Sequence, residues 1–202
     1  MGNSESYTSH TYAYSKNCNI TRKAGSESPL GDNNNAGKNA ICVIQSNRDE
    51  NINGYIAFHQ CQEGLPVKVM FALHGKPHKI HAIHIHEYGD ITNGCASLGA
   101  HFNPHGVTHG SIMYSMNPRH AGDLINNIRF DKSGNFYYEY EDALISLFDG
   151  PLSILGRSIV IHEDEDDLGR GKNDKRAESL LTGNAGKRIA YGIIGHMKSL
   201  HK

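Results

Sequence analysis

From Asn39 onward, short stretches rich in β-branched and aromatic residues recur along the chain, parted by polar or glycine-containing links. They occupy residues 40–45, 54–60, 67–74, 80–86, 124–130, 136–140, 158–162 and 189–194. Between the fifth and sixth stretches the chain reads D-K-S-G-N, a hairpin signal with glycine in a longer loop. No segment carries a convincing helical period. The pattern predicts an all-β fold, an eight-stranded antiparallel β-sandwich or flattened barrel closed by Greek-key connections.

The fourth stretch carries the first chemistry. In K-I-H-A-I-H-I-H-E-Y, from Lys79 to Tyr88, Ile83 and Ile85 alternate with His84 and His86. On a strand this period of two puts both isoleucines on one face and both histidines on the other. Two imidazoles about 7 Å apart along one pleated face can grip a single ion. His81 shares the parity of the isoleucines and reads as a hydrogen-bonded core histidine.

The following segment passes through Gly89, Gly94, Gly99, Gly106 and Gly110 with almost no apolar periodicity. A long ordered loop in a compact domain needs a stabilising cause. Ligation by His101, His109, His120 and Asp123 would supply one. Three imidazoles with one carboxylate suit a closed tetrahedral zinc site, and four imidazoles suit the tetragonal preference of Cu(II). The chain has ligands for both ions if one histidine serves two metals.

Several separated motifs, in one order, resemble the copper/zinc superoxide dismutases. They are H-A-I-H-I-H-E-Y-G-D-I-T-N-G-C with S-L-G-A-H-F-N-P, then R-H-A-G-D-L from Arg119 and G-R-S-I-V-I-H-E from Gly156. D-D-L-G-R-G from Asp166 and T-G-N-A-G-K-R from Thr182 complete the set. The resemblance spans residues 39–197 and implies copper held by His84, His86, His101 and His162. It implies zinc held by His101, His109, His120 and Asp123, with His101 as the bridge. Asp166 would link a copper-side histidine to a zinc-side one, Arg188 would dock the anion, and Thr182, Gly183 and Gly186 would line the channel. The implied activity is conversion of superoxide to dioxygen and hydrogen peroxide, with Arg188 and His101 as the catalytic residues. Long metal-binding and electrostatic loops and a homodimer come with the family. Tyr88–Asp90, Ile154–Gly156 and the last strand fall at its usual contact regions, with His196 where an apolar contact is common.

The other histidines, His10, His59, His74, His78, His105, His196 and His201, read as ordinary core or surface residues; His105 lies inside the metal loop. A formal net charge of −1 argues against nucleic-acid or membrane-surface binding, and no apolar run reaches a membrane span. Residues 1–38 are polar, lack the apolar core of a signal peptide and read as a disordered extension ahead of a dismutase-like domain at 39–202. A cytoplasmic location follows. An inactive dismutase-like metal-buffering or interaction module is the alternative, and a zinc hydrolase lacks an H-E-x-x-H motif.

Three positions depart from the family. Leu181 stands where a lysine is common, in a lengthened loop where Lys175 and Arg176 could replace the charge. The interval from His109 to His120 is also lengthened. Cys95 matches the cysteine of the family's intrasubunit disulfide, but Tyr191 occupies the partner's position, so the usual bond cannot form. Tyr191 is therefore expected to pack on the Cys95 loop and bond its backbone. Of the other cysteines, Cys42 reads as a buried thiol, Cys18 lies in the extension and Cys61 ends a strand.

Overall fold

The computed structural model describes residues 37–46, 51–114 and 118–198, so the expectations for residues 1–36, with His10 and Cys18, and for His201 lie outside the described residues. Eight strands form, namely β1 (Lys38–Ser46), β2 (Asn53–Gln60), β3 (Val67–His74), β4 (Ile80–His86), β5 (Asn127–Arg129), β6 (Asn135–Asp142), β7 (Ser158–His162) and β8 (Arg188–His196). They pair antiparallel in the order β5-β4-β7-β8-β1-β2-β3-β6, so the β3–β4 and β6–β7 links cross over, and the β5–β6 link, which the D-K-S-G-N turn suggested as a hairpin, joins strands with no ladder between them. β1 starts at Lys38, one residue before the sequence-derived domain boundary.

The alternation is visible in burial. On β3, Val67, Val69, Phe71 and Leu73 are buried while Lys68, Met70 and Ala72 are partly exposed. These side chains join Ile44, Ile56, Phe58, Ile83, Ile85, Ile159 and Ile161 in one core. On β4 both faces are covered, because loops lie over the face opposite Ile83 and Ile85. His81 points into the core, where its Nδ1–H donates to the His162 carbonyl at 2.8 Å and its ring meets Phe130 edge-on at 6.1 Å.

Two elements differ from the sequence expectation. β5 keeps only three residues of the stretch 124–130, because Leu124 (φ 47°) and Asn126 (φ 62°) are left-handed and cannot lie in a strand. The chain there is committed to the metal loop, whose 3₁₀ turn Ala121–Asp123 sits directly before it. The unpredicted element is α1 (Arg176–Thr182), whose sequence R-A-E-S-L-L-T contains good helix formers and is closed by left-handed Gly183. Seven residues were too few for a 3.6-residue period to show.

Cys42 and Cys95 are free thiols, whereas Cys61 is disulfide-bonded. Burial in the β1 seam pushes the Cys42 thiol up to about 12. Iodoacetamide at neutral pH should therefore label Cys95 in the folded protein and reach Cys42 only after denaturation. Peptide mapping that finds Cys42 labelled as quickly as Cys95 would show that this seam opens.

Candidate metal centre

The outer face of β4 supplies His84 and His86, and β7 brings His162 alongside, its Nε2 3.3 Å from His86 Nε2. The loop after β4 returns so that the Phe102 N–H donates to the Ile85 carbonyl at 2.8 Å, which bridges His101 to His86. The His84 and His101 ring centroids are 3.9 Å apart. Farther along, the 3₁₀ turn places Asp123 beneath His109 and His120. Among the described residues three groups of ligand atoms result, those of each group within 4.8 Å of one another: His84, His86, His101 and His162; His101, His109, His120 and Asp123; and the trio His84, His109 and Asp166. His101 belongs to both quartets.

In the first quartet each imidazole has its outward nitrogen fixed. His84 Nε2–H donates to Asp166 Oδ2 at 2.7 Å, His86 Nδ1–H to the Gly99 carbonyl at 3.0 Å, and His162 Nδ1–H to the Gly186 carbonyl at 3.3 Å. Their other nitrogens carry lone pairs turned toward one another. His84 Nδ1 and His101 Nε2 are buried with no hydrogen-bond partner at all. Burial holds His84, His86 and His101 below the usual imidazole range and His162 at about 4, so these rings are neutral. Four neutral imidazoles offering bare nitrogens to one point suit a copper ion.

The second quartet converges on one oxygen. The Nδ1 atoms of His101, His109 and His120 lie 3.2, 2.9 and 3.1 Å from Asp123 Oδ1. Asp123 Oδ2 is taken by the N–H groups of Gly110 and His120, which leaves Oδ1 as the ligating atom. Burial opposes the Asp123 charge, but the three imidazoles outweigh it and hold the carboxyl well below its usual range. Burial likewise opposes a charged His109, yet Asp123 and Asp166 push it up to about 9. Three nitrogens and one carboxylate oxygen are the donor set of a closed zinc site.

Asp166 connects the quartets, accepting from His84 Nε2 on one oxygen and from His109 Nε2, at 2.9 Å, on the other. Asn127, which drew no attention in the sequence, clamps the Asp166 backbone: Asp166 N donates to Asn127 Oδ1 at 2.8 Å, and Asn127 Nδ2 to the Asp166 carbonyl at 3.0 Å. Arg119 was noticed only as part of a motif. It makes a bidentate pair with buried Asp142 at 2.7 and 2.8 Å and donates to the His120 carbonyl, tying the metal loop to the end of β6.

A cavity of about 940 Å³ opens beside His86, His101 and His162, with Arg188, Thr182 and Gly186 in its wall. Arg188 Nη1 and Nη2 donate to the carbonyls of Cys95 and Gly99, each at 2.6 Å. Gly183 stands behind the cavity, and a Cβ there would come within 2.3 Å of Asp166 Oδ1. Leu181 lies at the cavity mouth and is 63% exposed, while Lys175 and Arg176 are not in the wall. Tyr191 is half-buried on β8 opposite Val160, and among the described residues nothing hydrogen-bonds its hydroxyl. The expected Tyr191 tether is thus absent. The Cys95 loop is held by Arg188 instead, whose guanidinium donates to the Cys95 carbonyl, with the Cys95 thiol 3.9 Å from the Arg188 carbonyl.

The family model described as copper/zinc superoxide dismutase (SODC) matches residues 52–194. The chain belongs to that family. It is 48% identical over 156 residues to a Cu-Zn superoxide dismutase of Onchocerca volvulus, covering 77% of this chain and 94% of the relative. A Cu-Zn superoxide dismutase of Saccharomyces cerevisiae is 43% identical over 157 residues, 77% of this chain and 96% of that one. An extracellular Cu-Zn superoxide dismutase of Brugia pahangi is 46% identical over 155 residues, 77% and 74% of the two chains. Among solved structures, the clock protein EA4 superposes with a TM-score of 0.70 at 38% identity, covering 83% of this chain and 100% of its own. Copper and zinc are the family's metals, and the two donor sets suit them.

The Arg119–Asp142 pair predicts a stability effect. Arg119→Met leaves a buried carboxylate without its cation and should cost roughly 3–5 kcal/mol in denaturant unfolding of the metal-free protein. A loss below about 1 kcal/mol, the range of an exposed pair, would show the clamp to be peripheral.

Proposed function

We propose that the chain is an active superoxide dismutase in which His84, His86, His101 and His162 hold copper. His101, His109, His120 and Asp123 hold zinc. The observation that carries this reading is the convergence of bare imidazole nitrogens, two of them buried without partners, beside a cavity walled by an arginine. Copper, when bound, supplies the one-electron redox change that zinc cannot.

The chain's own residues account for the rest. Arg188 uses two of its N–H groups on the Cys95 and Gly99 carbonyls, and its remaining donors are free for a small anion. Because both partners are neutral, the guanidinium keeps its full charge for superoxide. Thr182 and Gly186 bound the approach. One superoxide is oxidised to dioxygen; a second is reduced and leaves as hydrogen peroxide after gaining two protons. His101 Nε2 takes up and returns one of them, and solvent in the cavity provides the other. With zinc held by His101, His109, His120 and Asp123, Nε2 is the one proton site left on the His101 ring. The inactive-module alternative would require a missing ligand or a missing arginine, and neither is missing.

The proposal extends to a homodimer and a cytoplasmic location. Tyr88, Gly89 and Gly156 form one surface region, where a Cβ on Gly89 would meet the Gly156 carbonyl at 2.2 Å, and Tyr88 and Ile91 are exposed there. His196 is exposed at the end of β8. Arg188 supports the Cys95 loop with the thiol reduced, which fits a reducing compartment. The Cys61 disulfide points the other way, and recovery of the protein only from an oxidising compartment in subcellular fractionation would reject the cytoplasmic part.

Two measurements test this reading. His84→Ala should lose copper and dismutase activity while keeping the fold, and Arg188→Ala should keep both metals yet lower kcat/KM and weaken inhibition by small anions. Full activity in copper-free His84→Ala would sink the assignment. Sedimentation at micromolar concentration should show a dimer; monomer alone would reject that part and leave the chemistry untouched.

A further inference from the structure

Asp166 has all four acceptor positions filled. Oδ1 accepts from His109 Nε2 at 2.9 Å and from the Leu168 N–H at 2.6 Å. Oδ2 accepts from His84 Nε2 at 2.7 Å and from Asn126 Nδ2 at 3.1 Å. A carboxylate offers about four lone-pair sites, so its rotation is fixed by these four donors together. Asn126 is the one side chain among them that belongs to neither quartet.

Asn126 is fully buried, and its Nδ2 also donates to the Gly110 carbonyl at 2.8 Å, next to His109. Both neighbours of that nitrogen are acceptors only, so the amide cannot be turned over, and Oδ1 is left buried without a partner. The backbone here is left-handed at φ 62°. Asparagine tolerates that conformation and glycine adopts it more readily, without leaving a polar atom unpaired. The residue therefore keeps two unfavourable features in exchange for one correctly aimed pair of N–H donors.

We propose that Asn126 is a positioning residue for both metal sites, setting the rotation of the Asp166 carboxylate and locking it to the loop at Gly110. With the amide in place, one oxygen faces His84 and the other faces His109, so both rings keep their Nδ1 atoms turned to their sites. The Asn127 clamp holds the Asp166 backbone independently, so losing the Asn126 amide frees the carboxylate and the Gly110 carbonyl but leaves that backbone in place. This inference rests on the metal assignment proposed above.

The test compares full-length wild type with Asn126→Gly, which preserves the left-handed backbone and removes the donor, and with Asn126→Asp, which keeps the shape and replaces the donor by an acceptor. Zinc affinity is read by chelator competition, the copper environment by the Cu(II) electron paramagnetic resonance spectrum, and the scaffold by unfolding of the metal-free protein. Both variants should bind zinc about 10–100-fold more weakly and show an altered copper spectrum, the aspartate variant more so. Metal-free Asn126→Gly should lose much less stability than the variant loses in zinc affinity, the small loss reflecting the Gly110 carbonyl and Asp166 oxygen left without the amide. An Asn126→Gly protein with wild-type zinc affinity and an unchanged spectrum would overturn the proposal. So would a weakened zinc site accompanied by an equal loss of metal-free stability, since that is a structural role only. Should Asn126→Asp fail to fold, the glycine variant decides alone. Failure of the underlying metal assignment shows separately, as wild type that binds no copper or zinc.

Discussion

A buried neutral imidazole has one N–H to place, and the architecture of this protein depends on where each is placed. His84, His86 and His162 donate outward to Asp166, Gly99 and Gly186, acceptors contributed by loops. Each outward bond turns a lone pair inward. Orientation is thus decided before any ion arrives, and the loops that supply the acceptors must be in position for the ligands to be competent. The cost is that neighbouring lone pairs face one another in a dry interior, where the hydrogen bonds that water would give them are lost. Metal binding relieves that cost, so the free energy of binding is also free energy of folding for these loops.

The same dependence explains Arg188. It is half-buried on β8, paired across the sheet with His162, and its guanidinium reaches the carbonyls of Cys95 and Gly99. Gly99 also accepts from His86, so one carbonyl orients a histidine of the first quartet and the arginine beside it. With the cysteine at 95 a free thiol, no covalent bond fixes this loop to β8. The arginine carries both tasks, and its orientation and the loop's position are one degree of freedom instead of two.

Much of this was legible in the sequence because it follows a strict period or a fixed interval. The alternation of Ile83 and Ile85 with His84 and His86 gave the two faces of β4, and His81 fell on the core side as its parity requires. The strand count could be read in the same way, whereas the full membership of both quartets was implied by the family resemblance. What could not be read was decided by backbone conformation or by neighbours remote in sequence. The shortening of β5 follows from left-handed Leu124 and Asn126, which no periodicity announces. Gly183 was placed by motif in the channel, yet its missing Cβ serves the Asp166–His109 contact. Tyr191 was given a tether on the strength of a missing cysteine, although nothing local to it dictates where its hydroxyl points. The consecutive asparagines at 126 and 127 carried one weak signal, two amides in tandem beside a ligand motif.

Asp166 shows why such residues matter although they touch no metal. Its carboxylate is nearly unexposed, and a buried charge of this kind is costly unless fully hydrogen-bonded. His109 and His84 overcome the burial penalty and hold it well below the usual carboxylate range. If either imidazole were alone, the group could rotate to serve it. Serving both at once demands that the carboxylate plane be held from a third direction, and the donors available there are the Leu168 N–H and the Asn126 amide. The two quartets therefore share one acceptor whose direction is imposed from outside both of them.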